Sequence, residues 1–280
     1  MLLASHPGAD ALRGLRLAAV DRDPLVRLGA AVALASLPEF ERLALGLPLL
    51  TDPRLAVRIE AGRSLAGLPE SDLSAAQQAA LRGALASYRE AQLLQSDWPQ
   101  AHVNLGMLAA RQGHWGQART HYEQAIRTGP DFIPGYVNLA DALRVQKEET
   151  RAAEVLRAGL LRAPDHPDLR HALGLSLVRQ GNRVGALAEL RQAAAMAPQN
   201  SRYAYVYAVA MHSSGDGPGA RAVVYEGLLR HPGDPMLLPL ALSLSLELGD
   251  LVSARAYARQ LLVLNPQNAE VAQLVKRLEE

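Results

Sequence analysis

The chain contains no cysteine. That absence excludes disulfides, thiolate nucleophiles, zinc knuckles, iron–sulfur clusters and covalently attached haem within these residues. It is compatible with cytoplasm and periplasm alike. Aromatic residues make up only 4% of the sequence, so its hydrophobic half (49%) is mostly alanine and leucine, which are strong helix formers. No alternating β-branched run argues for a strand. Excess charge of one sign is also missing: 29 Lys+Arg against 28 Asp+Glu leave a formal net charge of +1. Without a basic excess there is nothing to track a phosphate backbone and no polybasic patch for anionic lipid, so nucleic acid is not expected as a partner. No segment approaches the roughly 18 uninterrupted apolar residues of a membrane span, so no membrane insertion is expected. Met1 to Pro7 lacks a charged n-region followed by an apolar stretch, so no leader is expected.

What the sequence does have is a period. Pro130, Pro164, Pro198, Pro232 and Pro266 stand 34 residues apart, and windows 99–132, 133–166, 167–200, 201–234 and 235–268 superimpose without insertion. The seventh position holds Leu105, Leu139, Leu173, Tyr207 and Ala241, and the eighth Gly106, Ala140, Gly174, Ala208 and Leu242. The twentieth is always alanine: Ala118, Ala152, Ala186, Ala220 and Ala254. The twenty-fourth holds Tyr122, Leu156, Leu190, Val224 and Ala258. Gly113, Gly181, Gly215 and Gly249 occupy position 15, where the second window has Lys147.

This grammar predicts paired antiparallel helices. Positions 8 and 20 are expected to meet where the pair crosses most closely, with the bulk at 7 and 24 filling the space around. Glycine at 15 suits the left-handed residue that ends a first helix, and the proline stops the second. In the fifth window, Leu238 and Leu261 are expected to fill the gap left by Ala241 and Ala258. Residues 269–280 read as a capping helix. Upstream, Leu73 to Gln95 reads as one long helix, with Ala84, Tyr88 and Ala91 in the register of a second repeat helix and an irregular partner.

These residues resemble the tetratricopeptide repeat family, most closely in Ala101 to Gly106, Ala118, Tyr122 and Pro130. The resemblance covers 99–268 and implies an all-α fold, a right-handed α-α superhelix. A different repeat precedes it. Asp23-Pro24 leads to Val26-Arg27 and a run ending Leu37-Pro38, and Asp52-Pro53 leads to Val57-Arg58 and a run ending Leu68-Pro69. Each Asp is expected to cap a helix with Pro in its first turn. This second pattern resembles HEAT-like repeats. The expected organisation is thus 1–70 HEAT-like repeats, 71–98 a linking helix and degenerate repeat, 99–268 five repeats and 269–280 a cap. The order also resembles the C-terminal region of bacterial periplasmic multihaem cytochrome-type proteins, although no Cys-x-x-Cys-His motif is present.

The tetratricopeptide resemblance implies that first helices line an inner, concave surface that binds a peptide or protein. Candidates for that surface are Asn104, Met107 and Arg111, then Asn138, Asp141 and Arg144. His171 and Arg179 follow in the third window, and Arg202, Tyr205 and His212 in the fourth. Asn104 and Asn138 stand one period apart, and an amide can serve an extended peptide or bridge neighbouring helices. Arg111, Arg144, Arg179 and Arg202 can each hold a carboxylate or project into water. Of the clustered tyrosines, Tyr207 is at the core position and Tyr205 points to the groove. With His212 it makes a candidate hot spot.

Enzymatic work is not expected: no histidine pair has metal-ligand spacing, and no nucleophile elbow, phosphate loop or dinucleotide fingerprint occurs. No catalytic residue, metal or cofactor is assigned. Three roles stay open: a protein-binding scaffold, an accessory region of a periplasmic redox protein, and a self-assembling array. The compartment follows the role, cytoplasmic for a complete chain and periplasmic for part of an exported redox protein.

Overall fold

The structure, a computed structural model, describes residues 8–279. The reading of Met1 to Pro7 as free of a leader lies outside these residues. The described residues are an all-α helical repeat of the solenoid class, sixteen α-helices and two short 3-10 turns with no strand among them. They divide into two compact units, residues 1–142 and 143–280.

The first unit opens with α1 (Ala9–Ala18), α2 (Pro24–Ala33), α3 (Glu39–Leu49) and α4 (Leu55–Leu65), followed by α5 (Ala75–Leu93). Arg27 and Arg58, one in each Val-Arg pair, make the same two bonds. Each donates from Nη1 to the carbonyls six and five residues back, Asp21 and Arg22 at 2.7 and 3.1 Å, and Asp52 and Pro53 at 2.7 and 3.2 Å. The equivalent buried pairs Ala30 and Ala61, and Leu34 and Leu65, form the core between them. Asp23 caps α2 as expected, accepting from the Leu25 N–H at 2.8 Å. Asp52 does not cap α4. Its register matches Asp21: it accepts from the Arg54 N–H at 2.8 Å, and its carboxylate takes the Arg27 fork at 2.5 and 3.1 Å. The second Asp-Pro therefore sits two residues early, and its acid ties one repeat to the next.

α5 starts two residues after Leu73, at a capping box in which Ser74 and Gln77 satisfy each other's backbone N–H groups. Its partner is α4. A Cβ built on Gly62 would stand 2.7 Å from that of Ala84, so a small residue on each helix allows the close approach. The irregular partner foreseen for α5 is thus a regular helix from the preceding array. Gly67 has φ 85°, and a Cβ there would stand 2.0 Å from the carbonyl oxygen of Arg111. Only glycine fits that junction between the end of α4 and the end of α6 (Pro99–Arg111).

α6 pairs with α7 (Trp115–Thr128), and α8 (Ile133–Val145) contains the division between the units. The second unit holds α9 (Glu149–Arg162), α10 (Pro167–Arg179), α11 (Arg183–Met196), α12 (Ser201–Ser213) and α13 (Gly217–Arg230). It continues with α14 (Leu237–Glu247), α15 (Leu251–Leu264) and α16 (Ala269–Glu279). The turns explain the period. Position 15 is left-handed in every window, φ 65° at Lys147 and 72–92° at the four glycines. The next N–H then reaches back to close the turn, His114 to the Ala109 carbonyl and Asn182 to that of Leu177, both at 2.9 Å. The residue before each proline is extended, from Gly129 (φ −139°, ψ 88°) to Asn265 (φ −138°, ψ 84°), so the second helix ends there.

The alanines at position 20 are all buried, at most 1% exposed. Position 8, however, is not kept small by them. A Cβ on Gly106 would meet the Tyr122 ring at 2.4 Å, and one on Gly174 would meet Leu190 at 2.6 Å. The bulk at position 24 is what demands a small residue at 8. In the fifth window Leu238 is fully buried and Leu261 packs on the same cluster. Here α14 begins two residues later than the other first helices, because Asp234 accepts from the Met236 and Leu237 N–H groups at 2.9 and 2.8 Å.

Candidate partner-binding faces

In the first unit the candidates lie on α6 and α8. Met107 is exposed, and Arg111 and Asp141 reach the surface. Asn104 and Asn138 are half-buried, and their amides serve the fold. The Asn104 side chain donates to Gln92 of α5 at 2.8 Å and accepts from Gln100 at 2.8 Å. Asn138 donates to the Pro134 carbonyl of its own helix at 2.8 Å. The two-rung amide ladder therefore does not present two free rungs, because α5 lies within reach of the first and α8 turns the second back on itself. Arg111 donates to the Arg63 carbonyl at 3.0 Å, stitching α6 to the end of α4.

In the second unit Arg179 has found its carboxylate within the chain. Its fork reaches Glu149 at 3.0 and 2.9 Å, and the Ser176 hydroxyl donates to the same group at 2.6 Å. Burial pushes the Glu149 carboxyl up, but Arg179, Ser176 and the nearby charge of Arg144 outweigh it and hold it below the usual range. Arg144 and Arg202 are exposed.

His171 is not on an open face. It is 7% exposed, stacks on Tyr203 with ring centroids 4.6 Å apart, and neither ring nitrogen has a hydrogen-bond partner. Burial, then the charge of Arg202, lowers its pKa to about 4. Tyr203 is the buried tyrosine of the cluster, its hydroxyl donating to Asp168, while Tyr207 at the expected core position is half-buried. The ring that fills the interior is the one facing the preceding first helix, α10. Tyr205 packs partly against the cluster of Ala208, Val224 and Leu238. His212 pairs with Glu247 at 2.6 Å.

Beside these polar contacts lies an open, largely apolar cavity of about 370 Å³. Leu175 and Val178 of α10, Leu187 of α11, and Val206, Val209 and Ala210 of α12 form its walls, with Arg183 on the rim. Position 9 supplies both Leu175 and Val209. The sequence reading missed Glu149, Asp168 and Glu247 as partners. The signal was available: Ser176 and Arg179 follow Glu149 by 27 and 30 residues, one period less two helical turns and less one. Among the described residues no group of three or more His, Asp or Glu is placed to hold a metal ion, and no helix is long and apolar enough to cross a membrane.

Helix pairs with one left-handed closing residue, one pre-proline ending and one small-against-large crossing per period define an α-α repeat protein of hairpin units. The tetratricopeptide repeat family model matches residues 71–131, 103–167 and 171–235, and the chain belongs to that family. It is 30% identical over 241 residues to Protein FlbA of Caulobacter vibrioides, covering 83% of this chain and 38% of that protein. Among solved structures, MamA covers 61% of this chain and 94% of its own length, with a TM-score of 0.51 and 15% identity. Pseudomonas aeruginosa PilF covers 68% and 84%, with a TM-score of 0.54 and 20% identity. At these identities the likenesses are of fold.

Proposed function

We propose that the chain is a scaffold that binds an extended segment of a protein partner along its first helices. The observation that carries this reading is the apolar cavity on α10 and α12, where position 9 of two successive first helices opens onto the same space. An apolar side chain of the partner would be the anchor, since burying it there contributes about 1.5–3 kcal/mol. Arg183 at the rim and the exposed Arg202 favour acidic residues flanking that anchor. Asn104, Asn138 and Arg179 become secondary contacts, because a partner must first exchange their internal bonds. Arg111, Met107, Asp141, Arg144, Tyr205 and His212 stay on the proposed surface, and His171 supports it from beneath.

The test is selection of peptides from a random display library on the full chain, followed by titration against Val209→Glu. Peptides carrying an apolar residue beside acidic ones are expected, with at least about tenfold weaker binding to the variant at unchanged helicity. Equal binding to the variant would move the site elsewhere.

Self-association is a second reading with its own observation: Leu161, Leu229 and Val263 occupy the same position of three second helices and are 60–85% exposed. Concentration-dependent sedimentation abolished by Leu229→Asp would favour it. The accessory role beside a haem-bearing part rests on sequence order, whereas the HEAT-like reading of 1–70 is supported by the matching Arg27 and Arg58 bonds and the equivalent pairs Ala30/Ala61 and Leu34/Leu65.

A further inference from the structure

Three successive junctions in the second unit share one layout. At each, position 17, near the start of a second helix, lies beside the last turn of the next first helix. At the first junction position 17 is Glu149, and positions 10 and 13 of the next repeat are Ser176 and Arg179. Glu149 takes the Arg179 fork at 3.0 and 2.9 Å and the Ser176 hydroxyl at 2.6 Å. At the third the same positions hold Gly217, Leu244 and Glu247. There Glu247 turns to His212 at 2.6 Å, and the Leu248 side chain comes within 3.5 Å of where a Cβ on Gly217 would stand. The chain thus fills both outer junctions with its own side chains. At the middle junction the positions hold Arg183, Ala210 and Ser213, and all three line the apolar cavity of about 370 Å³. Each part of the first junction has been exchanged. An arginine replaces the acid, a methyl group replaces the hydroxyl donor, and a serine replaces the long arginine. Serine cannot span the gap that arginine spans. Arg183 has no hydrogen-bond or ion-pair partner among the described residues.

We propose that this exchange sets the selectivity of the site: Ser213 keeps the junction open, and Arg183 receives an acidic side chain of the partner there. The inference rests on reading the cavity as the partner site. The partner's carboxylate would stand opposite Arg183 as Arg179 stands opposite Glu149 one repeat earlier, with the signs reversed. A guanidinium can hold a carboxylate through two parallel N–H bonds. Apolar walls beside it limit the screening that weakens a fully solvated pair. A lysine or arginine of a partner is disfavoured at the same point by like charge. Val209 and Ser213 stand one turn apart on α12, roughly 6 Å, which is about two residues of extended chain. The acid and the apolar anchor therefore fall close together in the partner's sequence.

The experiment is parallel selection from a random display library whose peptides have no free C-terminus. It is run on the full chain, on Arg183→Glu and on Arg191→Glu, which makes the same charge change at an exposed residue of the same helix. The unaltered chain and Arg191→Glu are expected to enrich an apolar residue beside aspartate or glutamate. Arg183→Glu is expected to enrich the same apolar residue beside lysine or arginine. The double variant Arg183→Glu, Ser213→Arg rebuilds the pair of the first junction. It should bind synthetic copies of either peptide class at least about tenfold more weakly than the chain that selected it, at unchanged helicity. An acidic preference that survives Arg183→Glu would overturn the proposal, as would an equal change of preference in Arg191→Glu. So would a double variant that binds basic peptides as tightly as Arg183→Glu, since Ser213 would then not control the opening. Enrichment that needs a free C-terminus would assign the carboxylate to a chain end and count equally against it. If Val209→Glu weakens binding while Arg183→Glu keeps the acidic preference, the cavity stands as the partner site and this inference alone fails. Peptides that ignore Val209→Glu, or no enrichment at all, would remove both.

Discussion

Lys147 carries the left-handed conformation that glycine carries at the same turn in the other four windows, with φ 65°. A side chain with a Cβ pays about 1 kcal/mol for that conformation. Lys147→Gly is therefore expected to stabilise the protein by about 1 kcal/mol, seen as a later urea midpoint at unchanged slope. An earlier midpoint would show that the lysine side chain contributes more than its backbone costs. At this scale the sequence was informative wherever one residue type answers one backbone need. Glycine at 15, proline at 32 and alanine at 20 all sit where the period placed them. It was less informative where a side chain's environment is set by another repeat. Tyr203 rather than Tyr207 is buried because His171, 32 residues earlier, supplies the surface it stacks on. Asp52 departs from the cap expected of it because Arg27, 25 residues earlier, claims its carboxylate.

Between elements, the second unit is tied by side-chain bonds that skip about one period. Glu149 at the start of α9 receives Ser176 and Arg179 from α10, and Asp250 at the start of α15 receives Arg221 from α13 at 2.7 Å. The Glu149 cluster is partly shielded, with side chains 21% exposed for Glu149 and 40% for Arg179, so solvent screening trims its worth. Glu149→Gln is expected to cost about 1 kcal/mol, and adding Arg179→Gln should cost little more. Strict additivity of the two losses in urea unfolding would show that the pair is not coupled. These ties also explain why the helices were legible and the candidate face only in part. Helix ends are written locally by caps, glycines and prolines. The availability of Asn104 or Arg179 to a partner depends on whether Gln92 or Glu149 has reached it first.

For the molecule as a whole, acid should act in two stages. His171 has its folded pKa lowered from 6.5 to about 4, so the unfolded chain takes up its proton first. Its contribution is fully present above pH 6.5 and falls by about 3 kcal/mol as pH drops from about 6.5 to about 4. The depressed carboxyls Asp52, Glu149 and Asp234 then withdraw theirs as pH falls below the usual carboxylate range and through their lowered values. His171→Phe keeps a ring against Tyr203 and is expected to remove the first stage while leaving the second. Urea midpoints measured from pH 7 to pH 3 check this. An unchanged profile in the variant would show that His171 is solvated rather than buried.

The glycine at position 67 sets a different boundary. Elsewhere two helices are separated by side chains that can be resized, and a chain can absorb a substitution by repacking. At Gly67 the backbone that follows α4 rests directly on the backbone at the end of α6, with no lining between them to yield. Even a methyl group there would wedge the seam apart, so the junction between α4 and α6 has no slack. Whatever alters that single point also moves Arg111, whose carbonyl Gly67 touches and whose side chain bonds the Arg63 carbonyl at 3.0 Å.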